Sequence, residues 1–296
     1  MSAPFEVDSF DAYLRIIHGE LPKGTRLYFR GQSKRATHGY LLTPSVARYT
    51  QLAALSPTER EQKEAEVLET FSNHLLTYVQ HRPQNSWEEL AIAQHHGLPT
   101  RFMDWSTNPL VALYFSVRNT AGRSDDSAVY VLKSNPKRYT DLKRIRSEDV
   151  VPTPDAATEI VKTEEDDAYA EYGVEGGGDA DAEASGSTSK ADDSSTKDPG
   201  LIEPPTPFKI SENIIYDPPH VSPRIRAQDG VLLACWQPMK PLEENDFLEI
   251  IIRQRAHDDI RRRLDQYGVF DKQLFPDLDG IAKWLKYRAY EINGTI

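Results

Sequence analysis

The sequence predicts an α+β protein, on three observations. Helical patterns, two of them opened by capping signals, crowd into the first half of the chain. Strand patterns recur late. No repeat period links the two, so the regular alternation of a doubly wound parallel fold is missing.

In chain order, Ser9–Gly19 is predicted as a short helix with Phe10, Tyr13, Leu14 and Ile17 on one face. Arg26–Gly31, RLYFRG, follows as a strand ending in a turn. Ser56-Pro57-Thr58-Glu59 is a capping box with proline at the first helical position. It opens a long helix through Val67, Leu68, Phe71, Leu75, Leu76 and Val79. Ser86-Trp87-Glu88-Glu89 is a second box, and Gly97 stands where that helix should stop. Leu98–Trp105 is expected as a strand, Asn108-Pro109 as the start of a helix through Phe115, and Ala128–Lys133 as another strand. After a long interruption come strands at Gly230–Cys235 and Phe247–Ile252, a helix at Gln254–Tyr267 ended by Gly268, and a last helix at Phe275–Tyr287.

The interruption, Thr153–Pro207, is acidic, rich in Gly, Ser and Asp, and poor in apolar residues. Such a segment cannot bury enough surface to offset its ordering entropy. It reads as a disordered acidic insertion inside a single domain spanning residues 1–296. It also carries much of the net charge of −11, so the rest of the chain is nearer neutral. A net negative charge argues against broad nonspecific binding to nucleic acid or anionic membrane. The lone Cys235 excludes an internal disulfide and a four-cysteine zinc site. No apolar run approaches the ~20 residues of a membrane span, and MSAPFEVDSF lacks the pattern of a secretion signal. A soluble, cytoplasmic protein is expected.

Three polar clusters stand at strand ends. In Phe29-Arg30-Gly31-Gln32, an arginine closes an apolar strand and offers a planar fork of donors suited to phosphate or carboxylate. The following glycine permits close approach of a ligand or another backbone. A strand-end ion pair is the structural alternative for Arg30. The second cluster, Ala93–Val117, sets Gln94, His95, His96, Arg101, Asp104, Trp105, Ser106, Thr107 and Asn108 between apolar segments. Unpaired burial would cost each such group roughly 1–3 kcal/mol, so the stretch is either a well-satisfied corner or a wall of a site. One of Ser106, Thr107 and Asn108 is expected to cap the helix that follows. Adjacent histidines cannot both face one side of a helix, and no partner recurs at metal-ligand spacing, so no metal is expected. The third cluster, Pro223–Gly230, places Gln228 ahead of a buried strand and Asp229-Gly230 at a turn.

Together the three clusters resemble the FRG domain, a family named for the tripeptide found here at Phe29–Gly31. The likeness runs through LLTPS at 41–45, QHHGLPTRFMDWSTNPLVALYF at 94–115, RIRAQDGVLL at 224–233 and LFPDLDGIAKWL at 274–285. More distantly, the order of Arg30, Ser106-Thr107 and Gln228 resembles ADP-ribosyltransferases of the Arg–Ser–Glu type. That likeness implies helices on a small mixed or split β-sheet. It implies NAD as substrate, surrounded by Arg30, Gly31, Gln32, His96, Arg101, Trp105, Ser106 and Thr107. Arg30, Ser106 and Gln228 would stand at the reacting centre; glutamine replaces the expected glutamate there, and Asp104 or Asp229 could supply the carboxylate in its place. The expected activity is transfer of ADP-ribose from NAD to a protein or nucleic-acid acceptor, or NAD hydrolysis, as a toxin or effector of bacterial or phage conflict. The alternative is a non-catalytic nucleotide- or partner-binding module of a defence system. A nuclease built on His95, His96 and Asp104 ranks last, for want of metal-ligand spacing.

Overall fold

The protein is described by a computed structural model covering residues 4–75, 77–79, 82–118, 124–142, 204–219 and 223–292. Residues 1–142 and 204–296 form one compact unit. The predicted insertion, Thr153–Pro207, lies outside the described residues except for Pro204–Pro207. Those last residues are already tied to the fold. The Pro205 carbonyl accepts the Trp87 indole N–H at 2.9 Å, and the Pro207 carbonyl accepts from Arg101 at 3.2 Å.

The class is α+β. Among the described residues, eight strands form one mixed sheet in the order β1-β8-β4-β2-β3-β7-β6-β5. They are β1 (Phe5–Val7), β2 (Phe29–Gln32), β3 (Phe102–Ser106), β4 (Ser127–Leu132), β5 (Lys137–Arg138), β6 (Ile214–Tyr216), β7 (Gly230–Ala234) and β8 (Phe247–Ile252). The edge pairs β1–β8 and β5–β6 are parallel, and the inner pairs are antiparallel. β1, β5 and β6 are too short to leave a period in the sequence, and the sequence reading misses them.

Helices cover one face of the sheet. They are α1 (Phe10–Gly19), α2 (Thr50–Ala53), α3 (Pro57–Leu75), α4 (Ser86–His95), α5 (Pro109–Val117), α6 (Pro223–Ala227), α7 (His257–Gln266), α8 (Asp271–Leu274) and α9 (Leu278–Lys286). Side chains alternate along a strand, so one core forms between α1, α5 and α7 and the sheet residues Phe29, Val129, Val131, Ile250 and Ile252. A second gathers Trp87 and Leu90 of α4 onto Phe102, Ile214 and Leu232. The opposite face packs Met103, Trp105, Tyr130 and Leu233 under Leu42, Leu242 and Phe247. No helix among the described residues is long and apolar enough to cross a membrane.

Local signals explain most boundaries. The first capping box closes reciprocally, with Glu59 N–H donating to Ser56 Oγ at 3.3 Å and Ser56 N–H to Glu59 Oε2 at 2.9 Å. The second is shifted by one residue. Asn85, not Ser86, caps α4 by accepting from the Trp87 and Glu88 N–H groups. α4 ends where Gly97 takes φ 91°, and α7 where Gly268 takes φ 79°, conformations that cost glycine nothing. The strand expected from Leu98 starts only at Phe102, because Thr100 and Arg101 have other partners. The last helix starts at Leu278 rather than Phe275, capped by Asp277.

Candidate functional site

The sheet is weakest at its middle. β2 pairs with β4 from Phe29 to Gln32, and β3 pairs with β7 along its whole length. Between themselves β2 and β3 meet only at Phe29 and Ser106. Beyond that pair they part, and a cavity of about 270 Å³ opens at the gap. Its walls come from β2 (Phe29–Gly31), β3 (Asp104–Ser106), the last turn of α4 (Gln94, His95), the first turns of α5 (Val111, Ala112, Phe115) and α6 (Arg224, Ile225, with Gln228 after it).

Close packing fixes the wall made by α5. A Cβ built on Gly31 would lie 1.8 Å from the Ala112 carbonyl oxygen and 2.8 Å from the Ser116 nitrogen. The glycine of Phe29-Arg30-Gly31 therefore admits a helix backbone, one of the two uses the sequence allowed. Asn108 caps the same helix, its Oδ1 accepting from Leu110 N–H at 3.0 Å. Its amide donates to Asp229 Oδ2 at 3.1 Å. Asp229 sits at φ 45°, so the expected Asp-Gly turn is present, and its carbonyl accepts from Thr107 N–H at 3.0 Å.

Arg30 points away from the helices, between the diverging strands. One terminal nitrogen donates to the Asp104 carbonyl, the group a continued ladder would have paired with β2. Its Nε is buried with no hydrogen-bond partner, and no ion pair to Arg30 occurs among the described residues. Burial draws the guanidinium below its usual pKa, with Asp104 opposing that shift. The indole N–H of Trp105, on the neighbouring strand, is also buried without an acceptor. Two donors thus lack acceptors in residues lining one cavity.

Asp104 supplies the cavity's carboxylate, and it is exposed. Its Oδ1 accepts from the Gln94 amide at 2.7 Å, and Gln94 Oε1 accepts from the Thr100 hydroxyl, which fixes the amide's orientation. His95 stands beside this pair. Burial, then His96 and Arg224, depress its pKa, so the imidazole is neutral near pH 7.

Arg30, Gly31, Asp104, Trp105, Ser106 and Gln228 all line this cavity. Two of them are spent on holding it. The Ser106 hydroxyl donates to the Gln228 carbonyl at 2.8 Å and accepts from Asn108 N–H at 3.0 Å. The Gln228 amide donates to the Leu274 carbonyl at 3.0 Å. Gln32, His96, Arg101 and Thr107 do not reach the lining. Gln32 pairs with Ala128 on β4, His96 is the exposed C-cap of α4, and Thr107 holds the turn at Asp229. Arg101, expected near NAD, is a core residue. It is 1% exposed and binds Glu64 through two contacts of 2.9 and 2.8 Å, with Phe208 under its guanidinium at 5.1 Å. The sequence names Arg224 and Ile225 only as members of the cluster Pro223–Gly230, and it offers His95 a structural or substrate-contact role ahead of a metal. The spacing Ala91–Gln94–His95 carries the signal for that face, since residues three and four apart share a side of a helix.

Fold and cavity together define a class: an α+β domain whose mixed sheet parts at its centre into a polar cleft beside a tightly docked helix. Residues 25–125 match the family model of the FRG domain. The match takes in β2, α4, β3 and α5, hence most of the cleft, and ends before β4. No curated protein and no solved structure matches the chain.

Proposed function

We propose that the cleft binds NAD and breaks its N-glycosidic bond, passing ADP-ribose to a protein, a nucleic acid or water. The observation that carries this reading is the pair of buried donors without hydrogen-bond partners among the described residues, Arg30 Nε and Trp105 Nε1, on residues that line the cleft together with Asp104. Leaving each donor unpaired costs roughly 1–3 kcal/mol, which an anionic, acceptor-rich ligand would recover. A carboxylate lining the same cleft suits a sugar on which positive charge develops. As the C1′–N bond breaks, both electrons pass to the nicotinamide nitrogen and neutralise its charge. The acceptor oxygen then bonds C1′ and its proton leaves, for which neutral His95 is placed on the cavity wall. Asp104 takes the charge-stabilising role in place of Gln228, whose amide is engaged at Leu274. The ADP-ribosyltransferase likeness of the fold belongs to this proposal, as does the setting of a cytoplasmic toxin or antiviral effector.

The engagement of Ser106 and Gln228 favours a second reading, a nucleotide-binding module without chemistry. One experiment separates them. The pure chain is incubated with NAD, while free nicotinamide, labelled ADP-ribose on added acceptors and thermal stability are followed. A ligand at 100 times its Kd stabilises by about 2.7 kcal/mol. Nicotinamide release supports the enzyme, and stabilisation without release supports the module. Neither signal refutes both.

A further inference from the structure

A second cavity, of about 630 Å³, lies on the other side of α6. The two share Val111 as a wall, and the consecutive residues Gln228 and Asp229 line the first and the second respectively. Leu274, whose carbonyl holds the Gln228 amide, lines the second. α6 is only five residues, PRIRA, and it divides its arginines. Arg224 lines the first cavity and Arg226 the second.

The second cavity has its own chemistry. Val269, Leu274 and Pro276 give apolar walls, and the Gln273 amide and Lys272 ammonium stand among them. Arg226 is exposed and has no ion pair among the described residues. Apolar walls, an amide able to read a heteroaromatic edge and two cations, set against one carboxylate (Asp229, which accepts from Asn108), describe a site for a phosphorylated base. The short basic ridge between the hollows is where a linking diphosphate would cross.

Resting on the nucleotide reading above, we infer that the site has two compartments and that its ligand is a dinucleotide straddling α6. The reacting half enters the cleft at the sheet gap, and a purine nucleotide half lies against Arg226 and Lys272. A free nucleoside monophosphate should then bind the second compartment by itself, independently of Arg30.

Calorimetric titration of AMP and of NAD into the full chain, and into folded Arg30→Ala, Arg226→Glu and Lys272→Glu variants, tests this. AMP should bind the unaltered chain and Arg30→Ala alike, and at least tenfold more weakly when either Arg226 or Lys272 is reversed in charge. NAD should be weakened by all three changes. If NAD binds and responds to Arg30→Ala while Arg226→Glu and Lys272→Glu leave both ligands unaffected, the second compartment is wrong and the function proposed for the cleft stands. If AMP binds but depends on Arg30, there is a single compartment. If neither nucleotide binds any form, the inference falls together with the reading beneath it.

Discussion

Replacing Gly31 with alanine strikes one of the closest approaches of backbone to backbone in this fold. The added Cβ would sit 1.8 Å from the Ala112 carbonyl oxygen. An ordinary carbon–oxygen contact is about 3.3 Å, so β2 and α5 must separate by roughly 1.5 Å. A gap of even 0.5–1 Å forfeits about a quarter to a half of the dispersion energy across it. Overpacking against side chains that can move costs about 1–3 kcal/mol; here both partners are backbone, so about 3–5 kcal/mol is expected. That is a large part of the roughly 5–15 kcal/mol of a typical domain. In urea it amounts to a midpoint about 1–2 M lower. Gly19→Ala is the matched control, since no atom lies within 4 Å of its Cβ. Adding Ala112→Gly should give no rescue, because the obstructing atom is a carbonyl oxygen that glycine retains. A Gly31→Ala protein within about 1 kcal/mol of the parent, with an unchanged denaturant slope, would refute the reasoning.

Other expectations follow from the same geometry. Arg101→Met leaves the Glu64 carboxylate buried without its two contacts and should cost about 3–5 kcal/mol in urea unfolding, while Arg101→Met with Glu64→Leu should recover most of it. A stable Arg101→Met protein that had lost nucleotide binding would instead return Arg101 to the site. His257 is 3% exposed, its Nε2–H shared between the Ile252 carbonyl and Ser127 Oγ, its Nδ1 buried without a partner. Burial depresses its pKa, so its stabilisation is complete above about pH 6.5 and lost as pH falls towards the folded-state value; His257→Gln should flatten that slope in pH-dependent melts. Asp104→Asn keeps an acceptor for Gln94 but removes the charge. Under the proposed chemistry it should slow nicotinamide release about 100-fold with little change in NAD binding, and an equal loss of both would mean a merely structural role.

What the sequence disclosed and what it hid divide along physical lines. Capping boxes, left-handed glycines and the Asn108-Pro109 start act within a few residues, so they could be read directly, to within a residue at Asn85. Short strands such as Ile214–Tyr216 owe their existence to β7 beside them, and three residues leave no usable period. Arg101 reads as a ligand contact in the sequence because its partner, Glu64, lies far back on α3. Only the tertiary fold brings a carboxylate to a guanidinium 37 positions away.

The stretch from Ala93 to Val117 offered two alternatives, a well-satisfied corner or the wall of a site, and each describes part of it. Ser106, Asn108 and Thr107 spend their hydrogen bonds on the Gln228–Asp229 turn, fixing where β3 hands over to α5. That corner pins β3 to β7 on one side, while Gly31 lets α5 clamp β2 on the other. Both strands are held, but by different elements, so the ladder between them can stop after one pair without the sheet closing up. Arg30 then bridges the breach with one donor and keeps another unmet. A charge placed to brace the gap alone would be better served by a carboxylate partner. None pairs with it among the described residues, and the cleft's own carboxylate is turned to Gln94, which supports the proposed binding site over a packing defect.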